Sequence, residues 1–107
     1  MTAYIQVFTT TDKKEDADKI AKEVVEKRLA ACAQVIGPIT STYWWKDNIE
    51  RAEEWLCLMK SRNDLYEELE KAIIGVHSYE VPEILAVPIV AGIQGYLEWL
   101  DKELRSG

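Results

Sequence analysis

The stretch from Ala31 to Trp45 constrains this chain more than any other. It reads as one extended run, interrupted at Gly37-Pro38, where a proline without an N–H sits at a bulge or an edge. A polar turn, Lys46-Asp47-Asn48, follows, with Asn48 suited to the left-handed conformation of a short hairpin, and a second long strand runs from Ile49 to about Lys60. About fifteen extended residues reach ~50 Å, whereas a helix of about sixteen residues covers only ~24 Å. The hairpin tip therefore projects beyond any helix that covers its base. That tip is Tyr43-Trp44-Trp45, an apolar load that seldom stays exposed. Where the second strand is central, Trp55, Cys57 and Met59 face one way and Leu56 and Leu58 the other, so both faces want a dry cover. Another copy of the chain is the simplest cover, and the hairpin's open edges suit a neighbour's strands. The residues predict self-association without fixing the number of subunits.

The remaining segments supply a frame for this hairpin. Residues 3–9 have the β-branched and aromatic content of a strand, and Thr11 and Asp12 are candidate caps for a helix with Ala17, Ile20, Ala21, Val24 and Val25 on one face, ending near Leu29. Its other face carries Glu15/Lys19, Asp18/Lys22 and Glu23/Lys27 at helical spacing. After the hairpin, Ser61 or Asn63 caps a second helix with the stripe Leu65, Leu69, Ala72, Ile73 and Val76. Residues 84–90 form an apolar run that predicts a buried strand, near an edge because of Pro88. A last helix runs from about Ile93 to Leu104, its stripe being Ile93, Tyr96, Leu97, Leu100 and Leu104. The order is β-α-β-β-α-β plus a helix: an α+β, ferredoxin-like sandwich forming a single domain over residues 1–107.

Composition narrows the partners. With 107 residues, 48% of them hydrophobic, the chain suffices for one core. Nineteen acidic against thirteen basic side chains leave a formal charge of −6, which disfavours nucleic acid. No apolar stretch approaches the ~20 residues a bilayer span needs. The opening Met1-Thr2-Ala3-Tyr4-Ile5 has no basic n-region, so a cytoplasmic protein with reduced thiols is expected. If Trp45 faces Ile49, Cys57 lies opposite Gly37 and Cys32 opposite Arg62, five residues out of register. That is ~17 Å, too far for a disulfide, whose Cα atoms lie within ~7 Å.

The densest polar constellation is His77-Ser78-Tyr79-Glu80-Val81-Pro82-Glu83, between the second helix and the last strand. His77 with Glu80 nearby offers proton transfer or borderline metal ligation, but a histidine at a helix C-terminus also simply favours the dipole, and this plainer reading weighs more. Pro82 holds Val81 extended and so aims Glu80 and Glu83. Lys60 is a candidate partner for one of these carboxylates. Thr9-Thr10-Thr11 are candidates for holding an anion, with capping the commoner use. An acylphosphatase-like site lacks its arginine in the first loop, and an RNA-recognition domain lacks its basic surface. Cys32, Cys57 and His77 are too few for a closed structural zinc site.

Four segments, in order and over almost the whole chain, resemble the CutA divalent-cation-tolerance family: Leu29-Ala30-Ala31-Cys32, Tyr43-Trp44-Trp45, Tyr79-Glu80-Val81-Pro82-Glu83 and Tyr96-Leu97-Glu98-Trp99. The resemblance implies a ferredoxin-like subunit in a homotrimer with hairpins pairing between subunits, PII-like in architecture and cytoplasmic. It also implies a role in the response to divalent ions, notably copper. The family's copper-ligating cysteine and first histidine correspond to Phe8 and Val76 here, which leaves His77 as the metal candidate, with Glu80 or with His77 of other subunits. The expected function is a non-enzymatic trimer that binds a metal ion or small ligand in clefts near Trp45, Lys60, His77, Tyr79 and Glu80. A structural or interaction trimer is the alternative, and a small hydrolase ranks last.

Overall fold

A computed structural model describes residues 4–106; the expected strand start at Ala3 lies outside them. The elements are β1 (Tyr4–Thr11), α1 (Lys14–Glu26), β2 (Cys32–Trp45), β3 (Asn48–Arg62), a 3-10 turn (Asn63–Leu65), α2 (Tyr66–Val76), β4 (Ile84–Pro88) and α3 (Gln94–Glu103). The four strands form one antiparallel sheet in the order β2-β3-β1-β4. This is a mixed α+β fold with the expected βαββαβ order.

The core lies between the sheet and the first two helices. Val7 of β1, Cys57 and Met59 of β3, Ile20 and Val24 of α1, and Leu69 and Ile73 of α2 are fully buried there, as the alternation in the strands and the helical spacing require. α1 starts without the expected cap. Its N-cap is Lys13, and the Thr11 hydroxyl instead donates to the Lys13 carbonyl at 2.8 Å. It ends before Leu29 because Arg28 turns left-handed (φ 57°), which lets the Leu29 N–H reach the Val24 carbonyl at 2.9 Å in a Schellman closure. On its surface Glu23 pairs with Lys27, while Lys14–Asp18 and Lys22–Glu26 form in place of the other two expected pairs. Ser61 is not a cap either: it is buried in β3, and its hydroxyl donates to the Leu29 carbonyl at 2.6 Å.

The hairpin projects as expected, and the molecule measures 44 Å along its long axis against 25 and 22 Å across. Its register differs from expectation. Trp45 pairs with Asn48, not Ile49, because the two left-handed residues of the turn are Lys46 (φ 49°) and Asp47 (φ 67°). A two-residue turn of this kind matches the twist of the strands, and Asn48 helps by donating from its side chain to the Lys46 carbonyl. The register slips again between Ile36 and Ile39, at the expected bulge. Cys57 therefore faces Val35 and Cys32 faces Lys60, three residues out of register rather than five, and both thiols are free.

The second face of the sheet is only partly covered. α3 crosses one end of it, tied by the Tyr4 hydroxyl, which donates to Asp101 at 2.5 Å, and by Arg62, which pairs with Asp64 and Asp101. Leu100 and Leu104 anchor it, whereas Ile93 and Tyr96 of the expected stripe are exposed. β4 is an edge strand and shorter than expected. In the subunit it is not a buried one: Leu85 and Val87 are exposed, because among the described residues no strand lies outside it and no helix covers that face.

Candidate functional site

The site is built where β1 ends and the sheet hands over to the hairpin. The loop after α2 passes this point, and a histidine fastens it. The Tyr79 N–H donates to His77 Nδ1 at 3.0 Å, so that nitrogen carries no hydrogen. Nε2–H then donates to the Thr10 carbonyl at 2.9 Å, with Thr9 Oγ1 at 3.1 Å. Burial holds the ring below the ordinary imidazole range, opposed by the Thr10 hydrogen bond and by the charges of Asp16, Asp12 and Glu54. His77 thus ties α2 to β1 as a neutral imidazole, and the helix-dipole reading is replaced by a strap. Thr9, Thr10 and Thr11 are buried strand residues at this junction.

The strap sets Tyr79 beside it, the two rings 4.9 Å apart and inclined at 53°. Tyr79 extends to the base of the hairpin and donates its hydroxyl to Glu54 Oε2 at 2.6 Å. Burial first, and then the Glu54 carboxylate, push the phenol well above its ordinary range. Glu54 is only 7% exposed. Trp45, Tyr79 and Glu80 come together with Glu50, Glu54 and Glu83 along an open groove of about 840 Å³ between the hairpin and the loop, a size ordinary for small-ligand sites.

Of the expected site residues, Trp45, Tyr79 and Glu80 share this groove, and His77 supports it from behind. Lys60 does not belong to it within the subunit. It stands six residues along β3 from Glu54, ~20 Å away, and bonds to Gln34 across the strand pair. Glu54 and Glu50 escaped the sequence reading, since a carboxylate in an exposed half-strand looks like solvated surface. The cue was Glu54's place two residues before Leu56 on the same face, at the point where alternation turns apolar.

The residues present do not compose a copper site of the soft thiolate and imidazole kind. Both nitrogens of His77 are engaged, and burial pushes the Cys57 thiol up to about 12, so it stays protonated in the core. Among the described residues no three His, Cys, Asp or Glu side chains gather closely enough to hold one ion. Chemically, the groove offers carboxylates, hydroxyls and aromatic faces for binding.

Comparison with known proteins agrees with the fold and the motifs. The profile of the CutA1 divalent ion tolerance protein matches residues 5–103. The chain is 38% identical over 99 residues to the divalent-cation tolerance protein CutA of Archaeoglobus fulgidus, covering 92% of this chain and 96% of that one. It is 43% identical to human Protein CutA over 99 residues, again 92% of this chain, but spans only 55% of that relative's length. Among solved structures, CutA1 from Oryza sativa superposes with a TM-score of 0.95 at 34% identity, covering 99% of this chain and 97% of that one. The periplasmic divalent cation tolerance protein CutA from Archaeoglobus fulgidus superposes with a TM-score of 0.92 at 35% identity, covering 95% and 99%.

Proposed function

The chain belongs to the CutA1 divalent ion tolerance family, and on that premise we propose that it acts as a non-enzymatic homotrimer. In this reading it binds a small ligand or ion in the groove between hairpin and loop, and so contributes to the response to divalent cations, copper among them. The observation that carries it is a polar groove set inside a large uncovered apolar surface. Trp45 and Val81, 56% and 82% exposed, line the groove, and Trp44, on the opposite face of the hairpin, is 71% exposed. Such surface is seldom left to water, and neighbouring copies laid over it would turn an open groove into a cleft. A cytoplasmic location fits the free thiols of Cys32 and Cys57.

The copper part of the proposal needs ligands that one subunit does not assemble, so it rests on convergence of several chains. Titration calorimetry with Cu(II) on wild type and His77→Ala tests it: affinity weaker than roughly millimolar, or affinity unchanged in the variant, removes it. Ligand binding in the groove is tested with Tyr79→Phe and Glu80→Gln, which should both weaken binding; Glu80→Gln, on the exposed loop, should leave the melting temperature and assembly intact, whereas Tyr79→Phe also costs about 1–3 kcal/mol by taking the donor from Glu54. One observation favours a second reading, a purely structural trimer: His77, Tyr79 and Glu54 already satisfy one another. In that case the same variants lower stability or dissociate the assembly and change no affinity. Hydrolysis is disfavoured because the lone pair His77 would use as a base is committed to the Tyr79 N–H.

A further inference from the structure

We propose that the groove takes an elongated organic cation, an aliphatic di- or polyamine, held by carboxylates spread along it and by aromatic faces. This deepens the ligand-binding reading above and rests on it. The first support is sign. Glu50, Glu54, Glu80 and Glu83 line the groove, and among the described residues no Lys, Arg or His side chain does.

The second support is spacing. Glu50 and Glu54 lie four residues apart on the same face of β3, ~13 Å from one another, paired across the hairpin with Tyr43 and Ile39. A single hard metal ion gathers its oxygens at roughly 2.0–2.6 Å, so these two carboxylates cannot share one. An extended chain with ammonium groups separated by methylenes can meet both, and its methylenes can lie against Trp45 and Tyr79. The face of Trp45 already receives a cation, with Lys46 Nζ 5.7 Å from the ring centroid.

The third support is Glu54 itself. More than nine-tenths of it is buried, Oε2 accepts the Tyr79 hydroxyl, and among the described residues Oε1 has no hydrogen-bond partner and the carboxylate has no basic side chain in salt-bridge range. Among the described residues no fully buried side-chain oxygen lacks a partner, so Oε1 opens to the groove rather than into the core, where a carboxylate largely withdrawn from water gains from a counter-charge. An ammonium in the groove supplies that charge and donates to Oε1.

The test is calorimetric titration of the full chain with spermidine at moderate salt, beside sedimentation of each variant. Wild type should bind. Glu54→Gln should weaken binding about tenfold or more, as expected for loss of a charge-assisted hydrogen bond. Should Glu54→Gln fail to fold, Glu80→Gln combined with Glu83→Gln, both on the loop, should weaken binding by a similar factor. Glu26→Gln on the far surface of α1 should leave it unchanged. Equal weakening by Glu26→Gln would mean diffuse attraction to an acidic chain and overturns the proposal. So does dissociation of the assembly by Glu54→Gln at unchanged spermidine affinity, because the counter-charge is then a neighbouring copy's side chain. If spermidine does not bind but Cu(II) or ATP does, in a manner sensitive to Tyr79→Phe, the polyamine falls and the ligand-binding reading stands. If no probe binds, both fall.

Discussion

One strand, β3, passes through two different environments. From Cys57 to Ser61 its alternate residues are fully buried under α1 and α2, each against a neighbour on a helix or on β1. From Asn48 to Glu53 the same strand, paired as regularly with β2, leaves Ile49 and its cross-strand partner Trp44 exposed. Backbone pairing differs as well: residues 55–62 of β3 pair with β1, and most of them with β2 too, whereas residues 48–54 pair with β2 alone and leave one edge open. The two halves also differ in whether a second layer lies on the sheet. A two-stranded ladder leaves its outer backbone groups and its side chains uncovered, and in the proposed assembly a neighbouring copy covers them.

The sharpest way to break this comparison is to remove the apolar load from the distal half. Trp44→Ala with Trp45→Ala should dissociate the assembly. Burial of each ring in an interface contributes about 3 kcal/mol per subunit by area, and sedimentation should find monomers with an unchanged far-UV circular dichroism spectrum. The proximal half should answer differently. Ile73→Ala removes a fully buried side chain between α2 and the sheet and should cost about 2–5 kcal/mol, read as a lower denaturant midpoint at fixed protein concentration with the assembly intact below it.

Gly37 sits where the halves meet. A Cβ there would lie 2.5 Å from Trp55 Cε3 and 3.2 Å from the Glu54 carbonyl. Gly37→Ala should therefore destabilise the chain by about 1–3 kcal/mol, measured by denaturant unfolding, and weaken ligand binding because Glu54 is displaced. A smaller effect comes from the strap. The unfolded imidazole titrates near ~6.5 and the folded His77 below that value. Between the two values the unfolded chain binds more protons, so the strap's contribution is intact above about pH 6.5 and fades as pH falls towards the folded value. Thermal melts on descending pH should show wild type losing more stability than His77→Gln across that window. The smallest effect belongs to the exposed pair Lys22–Glu26, 4.0 Å apart on α1: Lys22→Ala should change stability by less than about 0.5 kcal/mol.

The proximal half was legible because its patterns are enforced by two layers. Ala17, Ile20 and Val24, and likewise Leu69 and Ile73, are buried where helical spacing puts them. The projecting hairpin was legible too, from length alone. Its register was not, because a single-residue slip turns on which residues go left-handed: Asp47 and Asn48 both tolerate that conformation, and the structure uses Lys46 and Asp47 rather than the expected Asn48. Residues 84–90 misled for a related reason: their unbroken apolar run signals burial somewhere, and in the subunit Val90 is 90% exposed. At the site, the loop Tyr79-Glu80 and Trp45 could be found from the local density of polar and aromatic groups. The Glu54 contact could not, since Tyr79 and Glu54 are twenty-five residues apart and meet only through the fold.

The central claim is that the distal half is completed by other copies of the chain. Sedimentation equilibrium of the wild-type protein at micromolar concentration tests it most directly. The account predicts a single species of three times the 12.3 kDa chain mass. A stable, folded monomer at that concentration, with Trp44 and Trp45 left to water, would contradict it.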